Sequence, residues 1–313
     1  MKNIFLNSEE KRLRAGWRIL FFLIIFFIFS SLIFVVRPLL GDDLTKREFL
    51  KHYGLIVVAI SALGATISTI LSRRFFDKKS FMSLGLTWNK QAIKDLIFGF
   101  LLSCIMAAAF FFLLIVFDLI EYTGINFQEM AKSESFDFIQ FMSVLTIGSL
   151  GVLLLEHILV GYWEELVFRG YLFQNMKDGL GLITSIVISC LLYGLIHAAN
   201  PNATVLSSVI IIGFGFLRLY GYLSTKMLWL SMGMHIGWNF FQGPIFGFAA
   251  SGHESATLIT HSLNSEKDYL TGGAFGPEGS ILILPILVLT LVVMRWYANR
   301  NYGHENKVIP PRI

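Results

Sequence analysis

The sequence predicts an all-α protein that crosses a membrane as a bundle of about eight helices. Hydrophobic residues make up 55% of the 313 residues and charged residues only 15%, against roughly 25% charged in soluble proteins. Several apolar blocks reach the ~20 residues that a helix needs to cross a bilayer. These blocks are continuous, whereas the strands of a membrane barrel alternate apolar and polar positions. Helices are therefore the expected spanning elements.

The predicted spans follow the apolar blocks in chain order. They lie at about residues 17–36, 53–72, 95–117, 141–163, 181–199, 204–222, 227–248 and 280–297, and the fourth continues as helix to about residue 176. The basic residues Lys11, Arg14 and Arg18 precede or open the first block. Because that block is long and lacks a small-residue cleavage site, we expect a retained anchor rather than a signal peptide.

Basic residues set the expected orientation. Most of the 25 Lys and Arg residues, with Arg73, Arg169 and Arg218 among them, are assigned to the side of the membrane that holds the N-terminus. The positive-inside rule then predicts that both termini are cytoplasmic, in a multi-pass protein of the plasma or inner cell membrane. The same placement next to the bilayer accounts for the net charge of +4 without a nucleic-acid partner.

Three polar clusters lie in the predicted spans, where each ionisable side chain costs about 2.5–3.5 kcal/mol on insertion scales. The first contains Glu164, Glu165 and Arg169. Glu165 and Arg169 are four residues apart on one helix face and are expected to form an ion pair. Glu164 points about 100° away and is left free to act as a base. The alternative is a cytoplasmic helix end that carries a surface ion pair.

The other two clusters carry histidines. Tyr193 and His197 share one face of the fifth span, and His235 and Asn239 share one face of the seventh. Each cluster has a structural alternative, in which the histidine is a packing residue or bonds a neighbouring helix.

A tight turn predicted at Gly179–Gly181 supports convergence of the clusters. Glu165 and His197 each lie about 16 residues from this turn, so both reach about 24 Å along antiparallel helices. His235 comes within about 8 Å of the same depth. The three clusters are therefore expected to meet in the bundle.

Two chemistries suit such a site. Peptide hydrolysis needs a base that takes a proton from water and donors that hold the oxyanion. Glu164 with His197 can serve as the base, and His235 with Asn239 can hold the oxyanion. Alternatively, Glu164, His197 and His235 bind a divalent metal such as Zn²⁺, as His₂Glu zinc sites do. The sequence contains neither an HExxH nor a GxSxG motif, which argues against a zincin or a serine hydrolase.

The ordered motifs resemble those of the CAAX-protease and bacteriocin-processing (CPBP, or Abi) family of intramembrane endopeptidases. The family pattern is EExxxR, then FxxxH, then HxxxN or HxxxD, and this sequence has Tyr193 where Phe is usual. The resemblance covers roughly residues 80–245. It divides the chain into an N-terminal two-span region at 1–80, a catalytic membrane core at 81–248, and a loop with the last span at 249–313.

The resemblance implies a CAAX-type protease that acts on a membrane-embedded or lipidated peptide. Its expected site residues are Glu164, Glu165, Arg169, His197, His235 and Asn239. The family also includes proteins linked to bacteriocin immunity, so a non-enzymatic immunity or transport protein is the alternative. Glu156 and His157 lie outside the family pattern. We interpret them as a hydrogen-bonded interior pair, with a supporting or ligand role for His157 as the alternative.

Overall fold

Helices dominate the computed structural model, which describes residues 4–7, 10–41, 45–126, 149–264 and 266–303. In chain order they are α1 Ala15–Ser30, α2 Leu32–Gly41, α3 Lys46–Ser72, α4 Lys90–Val116, α5 Ser149–Glu165, α6 Phe173–Leu180, α7 Leu182–His197, α8 Val205–Thr225, α9 Trp229–Phe240, α10 Asp268–Thr271 and α11 Ile283–Tyr302. The helical architecture predicted from the apolar blocks is confirmed.

Two short antiparallel ribbons were not predicted. Strand β1 Leu6–Asn7 pairs with β2 Arg12–Leu13, and β3 Ile120–Ile125 pairs with β4 Ile259–Leu263. The strands of each ribbon lie outside the long apolar helices, and those of the second are far apart in sequence. A search for long apolar blocks therefore misses them. We call the end of the bundle that carries β3 and β4 the ribbon end. The opposite end, which carries the N-terminal arm with β1 and β2, is called the arm end.

Five of the described helices are long and apolar enough to cross a membrane. They are Ala15–Leu40, Tyr53–Asp77, Lys90–Val116, Val205–Thr225 and Ile283–Tyr302. Helix α7 is apolar but shorter. The predicted span at 227–248 differs because α9 ends at Phe240 and is followed by the π-helical turn Phe241–Ile245, which contains Pro244. The span predicted at 141–163 begins outside the described residues, so a count of eight spans is not confirmed.

A continuous helical path joins α5 to α6, as the predicted extension of the fourth span requires. The π-helical segment Leu166–Leu172 connects the two helices, and the path ends at Leu180. Gly181 then adopts a positive φ of 78°, which glycine tolerates without steric cost. The turn predicted at Gly179–Gly181 is therefore present, and α7 runs back beside the path that leads from α5.

Helix α9 lies directly on the backbone of α4. A Cβ atom on Gly237 would lie 2.6 Å from the carbonyl oxygen of Phe100, and one on Gly233 would collide with the carbonyl of Leu96. Small residues allow this close approach, as at many interfaces between membrane helices. The contact uses one face of α9 and leaves His235 on a different face, directed toward α5.

The arm end is closed by buried charges. Asp77 accepts hydrogen bonds from Arg73 at 2.8 Å and from Arg18 at 3.3 Å, and all three side chains are buried. This cluster joins α1 to the end of the helical segment that follows α3. Arg18 and Arg73 were expected as charges at the membrane surface. They are instead interior residues, because a paired carboxylate offsets the cost of burying them.

Candidate active site

Glu165 lies at the centre of the polar cluster and is fully buried. Its Oε1 atom accepts a hydrogen bond from Arg169 Nη1 at 3.1 Å and another from His235 Nδ1 at 2.9 Å. The predicted ion pair is therefore present. The alternative of a surface ion pair at a helix end is wrong, because neither Glu165 nor Arg169 is exposed.

The surroundings of Arg169 offset the cost of burying this ion pair. Its Nη2 atom donates to the carbonyl of Gly215 at 3.1 Å, and its guanidinium lies 4.3 Å from the centre of the Tyr193 ring. Buried ion pairs are tolerated when further hydrogen bonds satisfy the charged groups, and a cation over an aromatic face adds attraction. Arg169 thus links α5, α7 and α8 around Glu165.

Glu164 shares His235 with Glu165, but its other partner is Tyr193 rather than Arg169. Its side chain is 12% exposed, and its Oε2 atom lies 3.7 Å from His235 Nε2. The same oxygen accepts a hydrogen bond from the Tyr193 hydroxyl at 3.0 Å. An ionised carboxylate can only accept, so His235 donates from Nδ1 to Glu165 and presents Nε2 toward Glu164. The imidazole of His235 therefore lies between the two carboxylates.

Arg218 is a member of the site that sequence reasoning missed. It is 3% exposed and donates from Nη1 to the hydroxyl of Tyr193, which in turn donates to Glu164. In the sequence it counted only as a basic residue on the side of the N-terminus, whereas the structure buries its side chain inside the bundle. An arginine within an apolar span needs a polar partner. The position of Arg218 within an apolar span and the hydroxyl of Tyr193 are both visible in the sequence, so this pairing could have been predicted.

Substituting phenylalanine for Tyr193 tests this connection. The variant keeps the aromatic ring but removes the group that joins Arg218 to Glu164. We expect kcat to fall about threefold to tenfold, which corresponds to the loss of the one hydrogen bond that the hydroxyl donates to Glu164. The measurement is peptide cleavage by purified variants. Tyr162→Phe is the matched control, because its hydroxyl bonds Thr66 on α3. A loss of activity equal in the two variants would contradict the assignment.

The two remaining predicted residues lie at the edges of the cluster. His197 ends α7, and its Nδ1 atom donates to the carbonyl of Tyr193 at 2.8 Å. The Nε2 atom is then left as an acceptor. Asn239 lies one turn beyond His235 on α9 and is half-buried. Within the described ranges its side chain makes no hydrogen bond. The structure thus gathers four of the predicted residues, Glu164, Glu165, Arg169 and His235, and places His197 beside them through Tyr193.

The alternative metal site does not assemble among the described residues. In these ranges no three His, Cys, Asp or Glu side chains lie together as a group that could hold a metal ion. Of the predicted ligands, Glu164 and His235 face each other, whereas the contacts of His197 are with Tyr193. We therefore derive no step through a metal, and a bound metal stays a prediction.

The residues of this cluster, from Glu164 to Asn239 along the chain, all lie in a segment that matches a known family. Residues 146–241 match the family model of type II CAAX prenyl endopeptidase Rce1-like proteins. The match identifies an Rce1-like segment. For this segment the family that the three ordered motifs predicted is confirmed, and α5 to α9 lie within it.

One curated relative is similar over a longer stretch. The chain is 29% identical over 178 residues to the uncharacterized protein YyaK of Bacillus subtilis (strain 168), which covers 55% of this chain and 54% of that protein. The alignment thus spans about half the length of the relative. No solved structure matches the chain. The family of the Rce1-like segment therefore rests on sequence, and the geometry of its site is described from this structure alone.

Proposed function

We propose that the chain is an intramembrane endopeptidase that hydrolyses peptide bonds of membrane-associated substrates with water activated by Glu164. One observation carries the proposal. The Glu164 carboxylate, held by Tyr193 and 3.7 Å from His235 Nε2, lies within the segment that matches CAAX prenyl endopeptidases. The substrate class that fits is a hydrophobic or lipidated peptide, because a long hydrophobic group can reach the site through the bilayer.

The proposed base is the Glu164 carboxylate. A water molecule beside this pair can contact both Glu164 Oε2 and His235 Nε2, because the two atoms are 3.7 Å apart. Glu164 removes a proton as the water oxygen attacks the carbonyl carbon of the substrate. The same carboxyl group then delivers that proton to the leaving amine as the C–N bond breaks. Tyr193 orients the carboxylate, and His197 supports the water through its acceptor nitrogen.

Donors on α9 hold the oxyanion in this scheme. Asn239 follows His235 by one turn on the same face, and its amide is uncommitted among the described side chains. We assign the oxyanion to this amide and to Nε2 of His235 in its imidazolium form, which donates from both ring nitrogens. Glu165 fixes the orientation of the His235 ring, the role that a carboxylate often has beside a functional histidine. Arg169 in turn holds Glu165.

Comparison of membrane peptides tests the activity directly. Cells that produce the intact chain are compared with cells that produce the Glu164→Gln variant, and peptides from both are identified by mass spectrometry. We expect termini that are present only with the intact chain. Synthetic peptides of that sequence, with and without a prenyl group, then define the substrate class. Equal peptide sets would favour the non-enzymatic immunity or transport function.

Metal removal is expected to leave cleavage unchanged within about twofold, because the proposed base and donors are side chains. The measurement is the cleavage rate after dialysis against 1,10-phenanthroline and EDTA, with metal content determined in parallel. A zinc peptidase in the same detergent is the control and should lose activity. Loss of cleavage that returns with added Zn²⁺ would establish the metal alternative in place of the water-activation scheme above.

A further inference from the structure

Two buried polar side chains close to the active site lack hydrogen-bond partners. Both ring nitrogens of His157 are buried without a partner in the part of the chain that the structure describes, and so are both amide atoms of Gln242. Gln242 is fully buried. The expected hydrogen-bonded pair of Glu156 and His157 is therefore absent among these residues. Buried polar groups almost always have a partner, so these atoms indicate a site for a ligand.

Both residues lie about two helical turns along the chain from a residue of the active site. His157 precedes Glu164 by seven residues, and Gln242 follows His235 by seven. Seven residues are about two helical turns, so His157 returns to nearly the same face of α5 as Glu164, about 10 Å along the helix. Gln242 lies beyond the end of α9, in the π-helical turn Phe241–Ile245 that continues past His235. Asn239 shares the face of His235 on α9 and lies between His235 and Gln242 along the chain.

The two residues also lie toward the same end of the bundle, because α5 and α9 run in opposite directions. Gly170, after α5, packs against Leu228, before α9. At the other end, Leu150 of α5 and Phe240 of α9 share a hydrophobic cluster. A step backward along α5 and a step forward along α9 therefore lead in the same direction. His157 and Gln242 both lie on the ribbon side of the Glu164–His235 pair.

We propose that His157 and Gln242, together with Asn239, form a subsite that binds the main chain of an extended peptide substrate. The proposal rests on the proposed function and adds how the substrate is held. A side-chain amide offers one donor group and one acceptor in a plane, which matches a peptide group, and a neutral imidazole also offers one of each. At about 3.3 Å per residue, the 10 Å between the subsite and Glu164 corresponds to about three residues of extended chain.

This arrangement selects the backbone rather than particular side chains. An acyl or prenyl chain has no hydrogen-bonding groups that could satisfy His157 and Gln242, so the subsite takes peptide and not lipid. Glu156, the neighbour of His157, is directed elsewhere, since its Oε1 atom would lie 2.9 Å from a Cβ atom on Gly54 of α3. It is therefore not part of the subsite.

Binding of two peptides to full-length protein tests the subsite. The first probe is a fluorescent hydrophobic nonapeptide, and the second is the same peptide methylated at its main-chain nitrogens. All variants carry Glu164→Gln, so that no probe is cleaved. Gln242→Leu and His157→Phe should each weaken binding of the first peptide about tenfold, which is the effect of one or two lost hydrogen bonds. Binding of the methylated peptide should change little.

Thermal stability separates a binding role from a structural one. Removing an unpartnered polar group should leave the melting temperature unchanged or higher. Gln91→Leu is the matched control, because Gln91 donates to Asp95 at 2.8 Å near the arm end. It should lower the melting temperature and leave peptide binding unchanged. The subsite is refuted if Gln242→Leu and His157→Phe leave the affinity of the unmethylated peptide unchanged, or if they weaken both peptides equally.

The binding test can fail or succeed separately from the test of the proposed function. If the parent binds the peptide through this subsite but the protein with Glu164 intact never cleaves it, the proposed function fails and the subsite stands. If the protein cleaves the peptide and Gln242→Leu leaves KM unchanged, the subsite fails and the proposed function stands.

Discussion

Replacement of Glu164 by glutamine is expected to reduce peptide cleavage by about 10²–10⁴-fold, the usual contribution of a general base. Glutamine has the same shape as glutamate and can still accept the hydrogen bond from Tyr193, but it cannot take a proton from water. The side chain is 12% exposed and forms no ion pair with a lysine or arginine among the described residues. The fold should therefore be retained.

The effect is measured as kcat on a peptide identified by the membrane-peptide comparison, with the melting temperature recorded for each variant. Glu156→Gln is the matched control. Glu156 is also a partly buried carboxylate of α5, but it lies against α3. We expect the control to cleave within about twofold of the unaltered protein. Undiminished turnover by Glu164→Gln would rule out Glu164 as the base.

Replacement of Arg169 by methionine is expected to lower the free energy of unfolding by about 3–5 kcal/mol, because it leaves the Glu165 carboxylate buried without its cation. Cleavage should fall as well, since Glu165 orients His235. The measurements are the melting temperature in detergent and the cleavage rate of the fraction that remains folded.

A second substitution separates charge from packing. Glu165→Gln in the Arg169→Met background removes the carboxylate that has lost its cation. Part of the lost stability should therefore return, as expected for two residues that interact directly. Lys79→Met is the control for removing a cation, because Lys79 is exposed and lies 3.7 Å from Asp178. Such a surface pair contributes about 1 kcal/mol or less. Additive losses in the double variant would contradict a direct Glu165–Arg169 interaction.

The sequence predicted the helices that are uniform and long, and it was less informative where elements are short. The blocks that became α4, α8 and α11 are continuous apolar runs, so length alone identified them. Helix α9 is shorter than predicted, because the π-helical turn and Pro244 end it before the apolar run stops. The pairing of β3 with β4 depends on residues that lie more than 130 positions apart. No local pattern records such a pairing.

Helical periodicity predicted the parts of the site that lie within one helix. The spacing of four residues predicted the contact between Glu165 and Arg169, and the angle between adjacent residues predicted that Glu164 is not part of that ion pair. Periodicity within one helix does not show which other helix lies opposite. The bond from His235 to Glu165 and the contact of Arg218 with Tyr193 both join different helices, so they required the tertiary structure.

The contact between α4 and α9 bears on how loss-of-function substitutions should be interpreted. Gly233 and Gly237 touch no reacting group, yet any side chain at either position would push α9 away from α4. His235 and Asn239 would move with the helix. A genetic screen for inactive variants should therefore recover these glycines as readily as the acids and histidines. Inactivity at a position on α9 is thus no proof of a chemical role, and retained inhibitor or peptide binding must be measured before one is assigned.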